Sequence, residues 1–438
     1  MAVAESRPIG ECTISSTDRK PTRLWLTSPH FYPTYGGAQN RYRSYIPGLL
    51  ERGLDVRIMT GTPLLEERTE SDTQADWYEA KPGDWLPESN LDGAPLERIR
   101  LPDSKQRART RIYYDSLVEV CQRPGEGPVV AQLLTNMRPG AEPWLRKLKN
   151  SGIATLYSVS QFPTWPQKPF KRIFRRRGYQ RVFDEFDALV TNSEAIKGFL
   201  RDIGVSTRIE YIPNGVKLDR FHPPRSEDEI QARAELRAHI GIPDGHTVIV
   251  AVGAIMPRKS PDVVIQAWRH ILDQHPDTHL LFVGPRTNTH DAKLRDYGKE
   301  IARLIDDSPA PGQVHFAGIV DDVENYLRAS DLFILASKRE GTPNSLLEAM
   351  AVGLPSLVTP FIGMSPGIGE AGQHYRLVER TPEAIGAALS EFIRAPAARE
   401  QLAKSAQDYV TTHVDQQRSL DRYAELYEEL GAQAASRR

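Results

Sequence analysis

The stretch DLFILASKREGTPNSLLEAMAVGLPSLVTP, residues 331–360, sets an apolar run of strand length before a polar loop, a short helical pattern after Pro343, a Gly-Leu-Pro stop and a second apolar run. Strand, helix and strand in that order form a unit in which the two strands lie parallel and the helix crosses one face. Thr342, Pro343, Asn344 and Ser345 are residues suited to opening a helix, and the backbone N–H groups there have no internal partners, which makes an anion site. Glu340 lies on the loop and Glu348 in the first helical turns, where carboxylates suit the hydroxyls of a sugar whose phosphate sits on the helix end. Spacing alone leaves a plainer reading open. Ser345-x-x-Glu348 fits a capping box, in which the carboxylate returns to its own helix terminus.

The alternation extends outward in both directions. Strands HTVIVAVGA, HLLFVGP and QVHFAGI precede the opening stretch, separated by helical segments 261–274, 292–305 and 321–329, and no strand is expected after HYRLV. Near the N-terminus, RLWLTSPHFYP reads as a strand entering a loop. TYGGAQNRYRSYIPGLLERGLDVRIMTGTP then reads as a paired-glycine turn, an amphipathic helix, a stop at Gly53 and a strand. Residues 61–95, rich in Glu, Asp, Pro and Gly with Trp77, Tyr78 and Trp85 as aromatic anchors, read as an inserted surface loop. The stretch RIEYIPNGVKLDRFHPPRSEDE breaks the rhythm and marks a domain junction. The fold class expected is α/β, with two doubly wound Rossmann-like domains facing across a cleft: a tail over 1–22, a first domain over 23–216 and a second over 217–414.

Composition is consistent with that plan. The 438 residues suffice for two domains, and 56 Lys plus Arg against 57 Asp plus Glu leave a charge of −1, which calls for no nucleic-acid partner. Cys12 and Cys121 are the only cysteines, read as free thiols of a reducing compartment. The first residues lack the apolar run of a signal peptide and no stretch of eighteen apolar residues occurs, so a cytoplasmic protein, soluble or peripheral on the membrane face, is expected.

Other motifs fall at strand ends. In VAVGAIMPRKSPD, Gly253 turns the chain and Arg258 and Lys259 precede a helix opening at Ser260-Pro261; the two cations either neutralise a diphosphate or form an exposed basic turn. Gly36 and Gly37 either admit a ligand to the backbone or simply make a turn. His30 is a structural group or a minor acceptor-side candidate, and Asn214 is read as shaping its turn rather than touching substrate. The run QKPFKRIFRRRGYQRVF carries Lys168, Lys171, Arg172, Arg175, Arg176, Arg177 and Arg181 among aromatics. It either contacts an anionic membrane through 168–184, or holds a phosphorylated acceptor, or is a solvated helix face with its aromatics on the sheet, the reading favoured here. Changing Arg175, Arg176 and Arg177 to Glu and following liposome binding discriminates these.

Taken in order, FYPTYGGAQNRYRSYIPGLLERGLDVRIMTG, ALVTNSEAIKGFL, YIPNGVKLDRF, PRKSPDVVIQAW, FAGIV and the opening stretch resemble the retaining family 4 glycosyltransferases of the GT-B fold, from about residue 23 to the C-terminus. The resemblance implies a metal-independent hexosyltransferase with no cofactor, moving sugar from a nucleoside diphosphate to an acceptor hydroxyl on a glycan, a lipid-linked precursor or a small metabolite. It implies that Glu348 holds the donor ribose, Glu340 contacts the donor sugar, and Lys259 binds the diphosphate with Arg258 beside it. It also implies that Gly341 to Ser345 face sugar and phosphates, that Gly36 and Gly37 line the facing wall, and that Gly318 and Ile319 lie near the base. By the same resemblance, residues 415–438 form a helix crossing back to the first domain. No Asp-x-Asp metal signature stands where one would be needed.

Two positions depart from the family pattern. Ala254 stands where many relatives carry Arg after the turn glycine, and Ser160 where many carry His against the donor sugar, on the possible acceptor or sugar side. These departures keep an alternative open, a catalytically impaired GT-B subunit that binds nucleotide sugar or regulates. An epimerase or phosphorylase on the same architecture is a further alternative, although no pyridoxal-phosphate lysine context is found.

Overall fold

A computed structural model of the chain describes residues 20–32, 37–63, 75–103, 106–134, 137, 140–163, 165–166, 168–286 and 292–437. The first half contains β1 (Arg23–Ser28), α1 (Gly37–Glu51), β2 (Asp55–Gly61), β3 (Ser89–Leu91), β4 (Ala94–Ile99), α2 (Gln106–Gln122), β5 (Val129–Leu133), α3 (Glu142–Asn150), β6 (Ile153–Val159), α4 (Pro169–Phe183), β7 (Ala188–Thr191), α5 (Glu194–Asp202) and β8 (Arg208–Tyr211). The second contains α6 (Glu227–His239), β9 (Thr247–Val252), α7 (Pro261–Arg269), β10 (Thr278–Val283), α8 (Ala292–Asp306), β11 (Val314–Gly318), α9 (Val323–Arg328), β12 (Leu332–Leu335), α10 (Asn344–Val352), β13 (Ser356–Val358), β14 (Arg376–Leu377), α11 (Pro382–Arg394), α12 (Pro396–His413) and α13 (Gln416–Ala435).

Two sheets result, in the orders β3-β4-β2-β1-β5-β6-β7-β8 and β11-β10-β9-β12-β13-β14. All pairings are parallel except β3 with β4. The period of two explains the covering of both faces: Leu24 and Leu26 of β1 join the cluster under α1, whereas Trp25 joins the cluster on the opposite face. Val248 and Val250 of β9 divide from Ile249 in the same way.

The last helix does not stay with the second sheet. Val216 N–H donates to the Val414 carbonyl at 2.7 Å and Gln416 N–H to the Val216 carbonyl at 3.0 Å, so the chain crosses between the sheets twice at one place. Beyond that crossing, Leu420, Tyr423, Tyr427 and Leu430 of α13 are buried in the cluster that contains Tyr42, Tyr45 and Ile46 of α1. A buried polar chain fixes the packing: Tyr42 hydroxyl lies 3.0 Å from that of Tyr423, Gln132 Nε2 donates to Tyr42 at 2.8 Å, and the Tyr427 hydroxyl donates to Gln132 Oε1.

Three local expectations need correction. Within 61–95 the described part is anchored rather than a plain surface loop, with β3 as an antiparallel edge, Arg98 over Trp77 at 4.0 Å, and Trp85 donating to Glu119 at 2.9 Å. RIEY and EDEIQARAELRAH, placed in or beside the interruption, form β8 and α6. β8 is a short edge strand that buries only Ile209, and α6 buries only Arg237, so neither has the apolar stripe on which periodicity depends. Finally, Phe170, Ile173 and Phe174 of α4 do not pack on the sheet. They are exposed, and only Val182 and Phe183 of that helix are buried.

Candidate active site

The site forms where the loops after β9 and β12 meet. After β9 the chain turns at Gly253, with φ +138°, and a Cβ there would lie 3.0 Å from Lys259 Cε. Glycine therefore leaves room for the Lys259 side chain to lie back over the turn. Ser260, the N-cap of α7, holds a left-handed φ of 53°, one of two non-glycine residues with positive φ among the described residues. The loop after β12 is tied to this one through Lys338 N–H on the Arg258 carbonyl, at 2.8 Å.

Glu340 is the point of convergence. Its Oε1 accepts from Arg258 Nη1 at 2.6 Å and from Lys259 Nζ at 2.8 Å, and Arg258 also donates to the Arg339 carbonyl at 2.9 Å. Burial pushes the Glu340 carboxyl upward, but Lys259 and Arg258 outweigh it and hold the carboxyl below its ordinary value. A buried carboxylate thus pairs with two cations and leaves one net positive charge, in a turn where Ala254 supplies none.

α10 opens beside this cluster without a side-chain cap. Pro343 is its N-cap, which puts Ser345 at the second helical position and Glu348 at the fifth. The capping box expected as the plainer reading is therefore not formed, because proline at the cap shifts the register by two residues. Glu348 is half-buried and has no hydrogen bond or ion pair among the described residues. Burial pushes its carboxyl up to about 7, helped by nearby Glu324 and opposed by Arg220 and Lys259, although Arg220 is itself paired with Glu324 at 2.7 Å. A raised carboxyl takes up protons in the folded chain before the unfolded one, so this group costs stability as pH rises between 4.5 and about 7. Glu348→Gln is expected to raise the melting temperature at about pH 8 and leave it unchanged near pH 4.5. Parallel thermal melts of the two proteins across pH check this, and equal shifts at both ends would contradict it.

The facing wall comes from the first sheet. A Cβ on Gly341 would lie 2.4 Å from the Ser160 carbonyl oxygen at the end of β6, so the two loops approach as closely as glycine permits. Thr342 Oγ1 donates to the Asn192 carbonyl, and Asn214 Nδ2 donates to the Thr342 carbonyl at 3.2 Å and to Asn344 Oδ1. Asn214 does more than shape a turn: it is buried and links α10 to Arg41 of α1, whose Nη1 donates to Asn214 Oδ1 and whose Nη2 donates to Ser160 Oγ at 2.9 Å. Arg41 is buried with no carboxylate partner among the described residues and lies 4.6 Å from the Tyr42 ring.

Arg41 and Asn192 were missed by sequence reasoning. The usable signal was a cation on the inner stripe of α1, one residue before Tyr42 and four before Tyr45, both fully buried. Of the other candidates, Gly318 ends β11 and its carbonyl accepts from Gly284 N–H at 2.8 Å, while Ile319 beyond it is exposed. Gly37 opens α1, and a Cβ there would meet nothing within 4 Å. His30 is half-buried and its carbonyl accepts from Gln39. Gly36 lies outside the described residues, as does Cys12, and Cys121 is a buried free thiol. No group of three potential metal ligands occurs among the described residues.

The family model for glycosyl transferases group 1 matches residues 232–409, and that for a glycosyl transferase 4-like domain matches 36–215. The chain belongs to the group 1 glycosyltransferases. It is 24% identical to D-inositol 3-phosphate glycosyltransferase of Streptomyces griseus over 90% of this chain and 86% of that one, and 24% identical to spore coat protein SA of Bacillus subtilis over 71% and 78%. In structure, this glycosyltransferase is similar to sucrose-phosphate synthase of Thermosynechococcus elongatus, with a TM-score of 0.71, 18% identity, and coverage of 94% and 100%. It is also similar to Anabaena HepE in complex with UDP and glucose, with a TM-score of 0.67, 16% identity, and coverage of 92% and 98%. The fold is GT-B.

Proposed function

We propose that this glycosyltransferase moves a hexose from a nucleoside diphosphate to an acceptor hydroxyl with retention of anomeric configuration and without a metal. The observation that carries the reading is the convergence of Lys259 and Arg258 on buried Glu340 at the uncapped start of α10. Two cations and free helical N–H groups are what a departing diphosphate needs, because its negative charge grows as the anomeric C–O bond breaks. The acceptor oxygen bonds to the anomeric carbon on the face the diphosphate leaves, and the acceptor proton passes to a diphosphate oxygen. Glu340 holds the sugar, Glu348 the ribose, and the loop at Gly318 and Ile319 borders the base. The open space at Gly37 suits close approach of a ligand from the first domain. UDP in the HepE complex supports a nucleotide donor by likeness of fold.

Thermal shift against UDP-, GDP-, ADP- and TDP-sugars, with and without a chelator, followed by measurement of nucleoside diphosphate release, tests the reading. One class is expected to raise the melting temperature by roughly 5–10 °C at about 100 times its dissociation constant, regardless of chelator. Release with an acceptor pool should then follow. Release abolished by chelator would overturn metal independence, and tight binding without release from any acceptor would favour the non-catalytic alternative.

A further inference from the structure

Helix α4 carries a feature the donor site does not use. Between Lys168 and Phe183 the chain has seven cations and no acid, although the whole chain carries 56 cations against 57 acids. Only Arg181 has a carboxylate partner among the described residues, Glu142 at 3.6 Å. Arg172 and Arg176 are held on backbone carbonyls, those of Pro166 and Ile203, each at 2.8 Å. These bonds anchor the helix, while Arg175 reaches the Tyr179 hydroxyl at 3.5 Å and Lys168, Lys171 and Arg177 are exposed.

Beside this charge lies an apolar ridge. Phe170 is 70% exposed, Phe174 60% and Ile173 52%, and the two rings meet edge to face at 4.7 Å. Positions 170, 173, 174 and 177 share one helix face, so Arg177 continues the ridge. Next to it a groove of about 880 Å³ is lined by Met137, Pro166, Phe174, Tyr179, Lys171 and Arg175. Exposed aromatics in consecutive turns cost free energy in water and are retained where something apolar covers them.

We propose that α4 docks this glycosyltransferase on an anionic lipid bilayer, with Phe170, Ile173 and Phe174 entering the headgroup–acyl boundary and Lys171, Arg175 and Arg177 engaging lipid phosphates. The pairing of charge with an apolar ridge decides for lipid. A nucleic-acid duplex would satisfy the cations and leave Phe170, Ile173 and Phe174 in water, and a single strand would stack bases on the two rings but leave Ile173 uncovered, whereas a bilayer surface takes the cations and all three apolar side chains. Among the described residues no helix is long and apolar enough to cross a membrane, so the contact is a surface one. The connection leading into α4 begins at Ser160, which lines the cleft, so docking would orient the cleft mouth relative to the bilayer.

Co-sedimentation of the full chain with phosphatidylcholine–phosphatidylglycerol vesicles, at low and high salt, tests this. Binding is expected to need phosphatidylglycerol and to weaken with salt. The variant with Lys171→Glu, Arg175→Glu and Arg177→Glu should lose roughly 100-fold or more in partitioning. The variant with Phe170→Ser and Phe174→Ser should lose about tenfold. Both should melt as the wild type does, because none of these five side chains is buried. Absence of wild-type binding would overturn the proposal, as would undiminished binding by the charge variant. Wild-type partitioning by the serine variant, with an oligonucleotide displacing the protein from vesicles, would assign the face to polyanions instead.

Discussion

Glu340→Gln is expected to lower kcat by roughly 100- to 1,000-fold while donor affinity stays level or tightens. Two physical terms separate these effects. On the proposed reading the carboxylate meets the positive charge that develops on the sugar, so losing it removes an interaction made mainly in the transition state. It also occupies Lys259 at 2.8 Å and Arg258 at 2.6 Å, and those cations are freed for diphosphate when glutamine takes its place. Lys259→Ala should instead weaken donor binding and slow the saturated enzyme together, because its ammonium meets charge already on the diphosphate and more of it as the bond breaks. Calorimetry with the best nucleotide sugar, set against steady-state kinetics, distinguishes the cases. A Glu340→Gln enzyme with unchanged kcat would remove Glu340 from the chemistry. Glutamine is preferred to alanine because it retains an acceptor for the two half-buried cations.

Gly341→Val should lower kcat/KM by about 100-fold or more with little change in nucleotide binding, since a misplacement of roughly 1 Å in a reacting geometry costs that much. The reason is local and rigid. The new Cβ would stand 2.4 Å from the Ser160 carbonyl oxygen, which is backbone and cannot swing aside, so the first domain must retreat from the donor loop. Thr342 would lose its Asn192 acceptor and Asn214 its hold on α10 in the same movement. Donor calorimetry and kinetics on this variant test whether the loop contact serves transfer. Unimpaired turnover would show that the approach of the two loops is incidental. Truncating Arg41, on the other side of the same bridge, should mimic the defect in part.

The alternation of strands and helices was legible in the sequence, and with it two largely parallel sheets and the expectation that ligands bind at their carboxyl ends. The helix start at 342–345 and the basic turn at 258–259 stood out as short local patterns, but spacing left their purpose open, and the roles of Glu340 and Lys259 came from the ordered set of motifs that resembles the family. Local patterns also misled. Ser345 and Glu348 have capping-box spacing, but Pro343 as the cap moves them out of register, and Phe170 and Phe174 of α4 have core-like character yet face solvent. What only the tertiary structure decided is which cation meets which carboxylate and which side chains cross the cleft. Arg258 and Glu340 are 82 positions apart, and Arg41 and Asn214 are 173 apart. The first pair is set by β9 and β12 lying side by side in the second sheet, and the second by the packing of α1 on the first sheet, and no window of residues contains either arrangement.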